Sequence, residues 1–141
     1  MTIPNISVNY FAVLAATAAS MIIGALWYSP ILFGNIWMRL SGKNKKDIDK
    51  SKQKGMEKSY LIAFFGSFVM VYVLAHFIAY VGADDIASGI QLGFWVWMGF
   101  IATVALGTVL WDGKPIKLYL INVFYQLVSL VVSGVILAVW K

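Results

Sequence analysis

The stretch LYLINVFYQLVSLVVSGVILAVW, Leu118–Trp140, decides the fold. It contains no Lys, Arg, Asp or Glu, and its apolar residues run on without the alternation that a membrane-spanning strand would show. At 1.5 Å per residue, about 20 apolar residues cross a ~30 Å hydrocarbon core as a helix. Three more runs of the same kind lie upstream, over 8–28, 60–81 and 89–110. The expected fold is therefore all-α: one transmembrane domain over 1–141, built as an integral membrane four-helix bundle.

Composition agrees. Hydrophobic residues make up 61% of the chain and charged residues 12%, against roughly 45–50% and 25% in soluble domains. A soluble protein of 141 residues could not bury that much apolar surface, whereas lipid accepts it. There is no cysteine, which excludes disulfides, thiolate catalysis and sulfur-ligated metals. The first basic residue is Arg39, so the N-terminus lacks the positive region of a cleaved signal peptide.

The net charge of +5 reads as topology. Arg39, Lys43, Lys45, Lys46, Lys50, Lys52, Lys54 and Lys58 fall between the first two runs, and Lys114 and Lys117 between the last two. Of the 11 basic residues only Lys141 lies elsewhere. The positive-inside rule puts the 39–58 loop in the cytoplasm and both termini outside it. Trp27, Tyr28, Tyr60, Trp111 and Tyr119 then belong to one aromatic girdle, and Tyr10, Tyr80 and Trp140 to the other. The lysine-rich loop lacks interleaved aromatics, which argues against nucleic acid as a partner. It suits a solvated loop, a grip on anionic lipid heads, or both. Between it and the first run, Pro30 interrupts the helix, and the apolar segment 31–40 predicts a short interfacial helix. Asp112-Gly113 followed by Lys114-Pro115 reads as a tight turn with Asp112 paired to a lysine.

Small residues recur at four-residue steps: Ala12, Ala16, Ser20 and Gly24 in the first run, and Gly99, Thr103 and Gly107 in the third, with Gly89 and Gly93 above. Such ladders let helix backbones approach closely in lipid, either within the chain or between copies in a homo-oligomer.

The polar residues of the runs are the candidates for function. Asn122, Gln126, Ser129 and Ser133 share one helical face. Lipid cannot satisfy an amide, so that face should point inward. It either fixes the bundle by interhelical hydrogen bonds or lines a path for a small solute or ion, with Thr103 near the level of Gln126. His76, the single histidine, lies on one face with Tyr72 and Tyr80. It is either a neutral ring bonded within the bundle or a proton or ligand contact. A lone histidine without carboxylates is a poor metal site, so neither a metal nor a cofactor is expected. Counting along each run separates His76 from Gln126 by about 12 Å along the membrane normal and sets His76 near Ser133. Catalytic signatures are missing: no carboxylate pair lies in a run and no glycine loop could cradle phosphate. Two functions stay open. One is a homo-oligomer that binds or passes a small solute through the polar seam. The other is a non-transporting accessory or lipid-binding scaffold.

Several of these residues also carry a family likeness. Gly24-Ala-Leu-Trp27-Tyr28-Ser29-Pro30, then Phe33-Gly34 and Trp37-Met38, resembles the start of the bacterial membrane family called domain of unknown function 1761. Ala75-His76, Gly93-Phe94-Trp95, Gly113-Lys-Pro115, Leu120-Ile121-Asn122, Tyr125 and Leu127-Val128 extend the likeness over nearly the whole chain. Where the family often has histidine after the Tyr125 position, this chain has Gln126. The resemblance implies the fold and topology and carries no activity.

Overall fold

The computed structural model describes residues 3–42, 46 and 56–141. They form five helices: α1 (Tyr10–Trp27), α2 (Gly34–Ser41), α3 (Met56–Val81), α4 (Ile86–Leu110) and α5 (Ile116–Val139). No strand occurs among the described residues. Four stretches are long and apolar enough to cross a membrane: Tyr10–Trp27, Glu57–Val81, Ile86–Leu110 and Ile116–Val139. The chain is a multi-pass, all-α membrane protein. The second helix starts about a turn earlier than the apolar run because Glu57-Lys58-Ser59 extend it with good helix formers into polar surroundings. The short helix expected after Pro30 is α2. The remainder of the basic loop, 43–45 and 47–55, lies outside the described residues.

Local chemistry sets the helix ends. The Asn9 side chain accepts from the backbone N–H of Phe11 (3.1 Å) and Ala12 (3.3 Å) and opens α1. Asp85 and Ser88 form a reciprocal capping box at the start of α4. Pro115, with φ −61°, leads into α5. Between α4 and α5, Gly113 adopts φ +68°, and Lys114 N–H donates to the Thr108 carbonyl (3.0 Å). The tight turn is therefore present, but no described lysine pairs with Asp112, whose carboxylate is exposed to solvent that offers hydrogen bonds at less entropic cost.

At the Pro30 corner, Phe33 N–H bonds the Trp27 carbonyl (3.0 Å) and Gly34 N–H bonds the Ser29 carbonyl (2.9 Å). A Cβ on Gly34 would strike the Tyr28 carbonyl and come within 2.7 Å of the Ser29 backbone, so only glycine closes this corner. Trp27-Tyr-Ser-Pro30 and Trp111-Asp-Gly-Lys-Pro115 look alike in sequence but differ in structure. Trp27 packs on Phe33 at 4.7 Å, whereas Trp111 is 83% exposed.

α5 is the hub. It packs most extensively on α4, then on α1, and more lightly on α3, which leans on α1. We call the end bearing residues 3–9, the Gly82–Asp85 turn and Lys141 the terminal end, and the other the loop end. The buried core crowds into the terminal half: Ala12, Val13, Ala16, Thr17 and Ser20 of α1, Val71, Leu74 and Ile78 of α3, Gly89 and Gly93 of α4, and Ser129, Leu130, Ser133, Gly134, Leu137 and Ala138 of α5. In the loop half only Gly34, Leu118 and Val123 are buried.

Backbone contact explains the closed half. A Cβ on Gly89 would lie 2.6 Å from the Gly134 carbonyl oxygen, and one on Gly93 the same distance from that of Leu130. The α1 ladder packs inside the chain in the same way, with Gly24 facing Tyr125. Gly99 meets nothing within 4 Å, and Thr103 is exposed.

Candidate functional site

Four sequence motifs converge in the loop half. The Tyr28 hydroxyl, at the end of α1, donates to Asn122 Oδ1 of α5 (2.7 Å). Next to it Trp27 Nε1 donates to the Ile121 carbonyl (3.0 Å). Tyr125, one turn along α5, donates to the Ser20 carbonyl (3.0 Å) and packs edge-on to Tyr28 at 5.5 Å. Trp37 of α2 stands edge-on to Tyr28 from the other side at 5.9 Å. The Pro30 corner thus folds α2 under the end of α1 and brings three aromatic rings around one amide. Each ring is amphipathic and uses its polar tip where lipid offers no partner.

The polar face of α5 divides along its length. Ser133, 1% exposed, shares a 3.2 Å hydrogen bond with Ser20 across the α1–α5 contact. Ser129, 3% exposed, has a buried hydroxyl with no partner. Asn122 spends its carbonyl on Tyr28, which leaves its two N–H donors. Gln126, one turn along from Asn122, is partly buried and makes no hydrogen bond to any described residue. The face does point inward at Ser129 and Ser133, and it meets α1 at Asn122.

His76 lies apart from this cluster. Its Nδ1 is 2.9 Å from the Tyr72 carbonyl of its own helix. A carbonyl can only accept, so Nδ1 carries the proton and Nε2 is left as the acceptor. The ring lies edge-on to Tyr72 (4.7 Å) and tilted to Tyr80 (6.1 Å), and Tyr10 of α1 stacks on Tyr72 at 6.2 Å. The expected meeting of His76 with Ser133 is not made by hydrogen bonding: each has a partner elsewhere, because Ser133 is turned to α1. Thr103 is exposed and bonds the Gly99 carbonyl of its own helix (2.7 Å), so its hydroxyl is used locally. Among the described residues no three His, Cys, Asp or Glu side chains gather into a metal-binding group.

Two contacts between α4 and α5 were not legible in advance. Trp97 Nε1 donates to the Val123 carbonyl (2.6 Å), and the Tyr119 hydroxyl donates to the Ala102 carbonyl (2.7 Å). In sequence Trp97 reads as one more apolar residue and Tyr119 as part of a girdle. Both carry a donor that needs a partner in lipid, which is the signal that could have marked them. A larger open groove of about 580 Å³ lies on the side of α4 and α5 turned away from α1, lined by Phe94, Trp95, Leu127, Val128 and Val131, with Gln91 as its polar residue. It contains none of the seam residues.

These features define a small polytopic membrane protein in which, among the described residues, the Asn122 and Gln126 amides keep hydrogen-bonding capacity within a spanning helix. Over residues 11–138 the chain matches the family described as "Protein of unknown function (DUF1761)", and it belongs to that family. No curated protein and no solved structure matches it.

Proposed function

We propose that this is a homo-oligomeric membrane protein that binds a small solute at the Asn122–Gln126 cluster, with the loop end in the cytoplasm. One observation carries the reading. The Gln126 amide lies mid-way along a spanning helix, partly accessible and without a partner among the described residues. An unsatisfied amide in hydrocarbon costs several kcal/mol, and a solute held between Gln126 and the free Asn122 donors would remove that cost. Onward passage would run by Ser129 and Ser133 and would need α1 and α5 to part, so binding is the better supported half of the reading. Four helices whose loop half is loosely filled also favour further copies as neighbours. The basic residues of the 39–58 loop, with Lys114 and Lys117, support a cytoplasmic loop end.

Native mass spectrometry of protein released from nanodiscs tests both parts. The expected result is an oligomer carrying a small molecule that Gln126→Leu loses. A monomer, or a bound mass indifferent to Gln126→Leu, removes the corresponding part of the reading.

A second reading, a lipid-binding scaffold, draws on a different surface. Arg39, Lys58, Lys114 and Lys117 are all exposed at the loop end beside the exposed rings of Tyr60 and Trp111. Cations and amphipathic rings at one level suit anionic lipid heads, each cation contributing about 1 kcal/mol near the surface. Retention of anionic phospholipid in the same spectra, lost in the Lys114→Ala/Lys117→Ala variant, would favour it.

A further inference from the structure

We infer that the loop half of α4 is a gate beside the Gln126 cluster, pivoting on the π-helical segment Trp97–Ala102 and latched by Tyr119. The two halves of α4 are held very differently. Its first turns are fixed by backbone contact through Gly89 and Gly93 with Gly134 and Leu130, and the Trp97 indole anchors the end of that fixed part to α5. Then the helix widens into a π turn over Trp97–Ala102. Such turns disturb the regular hydrogen-bond ladder and are recurrent points of kinking and movement.

Trp97 and Ile101 pack against the core, but no residue of the pivot is buried. Gly99, inside the π segment, has no neighbour within 4 Å of where a Cβ would stand. Thr103 and Thr108 bond back to the Gly99 and Ala105 carbonyls of their own helix, a pattern that bends helices. The α-helical pattern breaks again at Leu106. Val104 is 74% exposed, and no residue from 103 to 110 is buried. At the last residue of the π segment, one interhelical hydrogen bond among the described residues restrains this half: Tyr119 to the Ala102 carbonyl.

The latch lies where it would control entry. Tyr119 and Gln126 are seven residues apart and share a face of α5. Tyr119 therefore ties α4 across the same face, two turns nearer the loop end than Gln126. Releasing it lets 103–110 swing away from α5 and widens the way to Gln126 and Asn122. That this controls binding rests on the reading above; the movement itself does not.

The absence of cysteine allows single reporters on the full chain in nanodiscs. Leu110→Cys and Ile86→Cys, both exposed, would each carry a trifluoromethyl label read by fluorine NMR. The Leu110 label should show two exchanging resonances and the Ile86 label one. Tyr119→Phe, which removes one hydrogen bond and keeps the ring, should change the Leu110 population ratio by about two- to tenfold. Gly99→Ala, whose methyl meets open space, should stiffen the pivot and slow the exchange. A single Leu110 resonance indifferent to Tyr119→Phe would overturn the gate. So would an equal response of the Ile86 label, which would signal general loosening. Two resonances that persist in Gln126→Leu keep the gate even where the binding reading fails, since no ligand enters the measurement.

Discussion

In the terminal half, α4 and α5 touch backbone to backbone through Gly89, Gly93 and Gly134. From the middle of α4 onward, the same two helices touch through the side chains of Trp97 and Tyr119. The difference teaches how this chain divides its labour. Lipid supplies no hydrophobic drive for helices to associate, so close van der Waals contact between small residues must hold them. Where glycine lets backbones meet, the interior is filled, and Ser20 and Ser133 are spent on each other while the Ser129 hydroxyl is shut in without a partner. Where large rings hold the helices apart, room remains and amides are left with capacity.

The largest effect should come from filling the closed contact. Gly134→Ala places a methyl on the Gly89 backbone and should cost about 1–3 kcal/mol, the usual penalty of overpacking. Thermal unfolding in nanodiscs would show it, and Gly99→Ala should cost nothing in the same assay. Equal losses at both positions would erase the contrast. Next, Tyr28→Phe removes the bond to Asn122 and should cost about 0.5–1.5 kcal/mol. Gln126→Leu, which removes an unpartnered amide, should leave stability unchanged or raise it. A loss at Gln126 as large as that at Tyr28 would show that the amide is already spent.

Smaller still is the serine comparison. A double-mutant cycle on Ser20→Ala and Ser133→Ala should report coupling of about 0.6 kcal/mol. Ser129→Ala should be neutral or stabilising, because that hydroxyl has no partner to lose. The smallest effect concerns Asp85. Hydrogen bonds from the Ser88 hydroxyl and backbone N–H hold its carboxyl below the usual range. A depressed folded-state pKa gives stability that is complete above the unfolded carboxylate pKa of ~3.9 and fades as pH falls through the folded value. Asp85→Ala should therefore lower thermal stability slightly near neutrality and lose its effect in strong acid.

Sequence revealed the spans, the corner at Pro30 and the inward face of α5, because each depends on periodicity and polarity along one helix. Counting along each run set His76 and Gln126 at different depths as an expectation. It could not choose their neighbours, since a face angle says nothing about which helix lies opposite. Ser133 turns to α1, and His76 turns back to the Tyr72 carbonyl. The α4 ladder shows the same limit. Gly89 and Gly99 look alike in sequence, yet one is pressed against a backbone and the other faces open space. The π turn leaves no mark in the pattern at all, because Trp-Met-Gly-Phe-Ile-Ala fits a regular apolar helix equally well.

The corner at Pro30 makes α1 and α2 a single lever. Trp27 and Ser29 carbonyls grip Phe33 and Gly34, and Gly34 lies directly under the Tyr28 carbonyl. There is no slack between the start of α2 and the residue whose hydroxyl holds Asn122. A displacement at the start of α2 would therefore reach Tyr28, and through its hydroxyl the Asn122 amide, over six residues of backbone, 28–33.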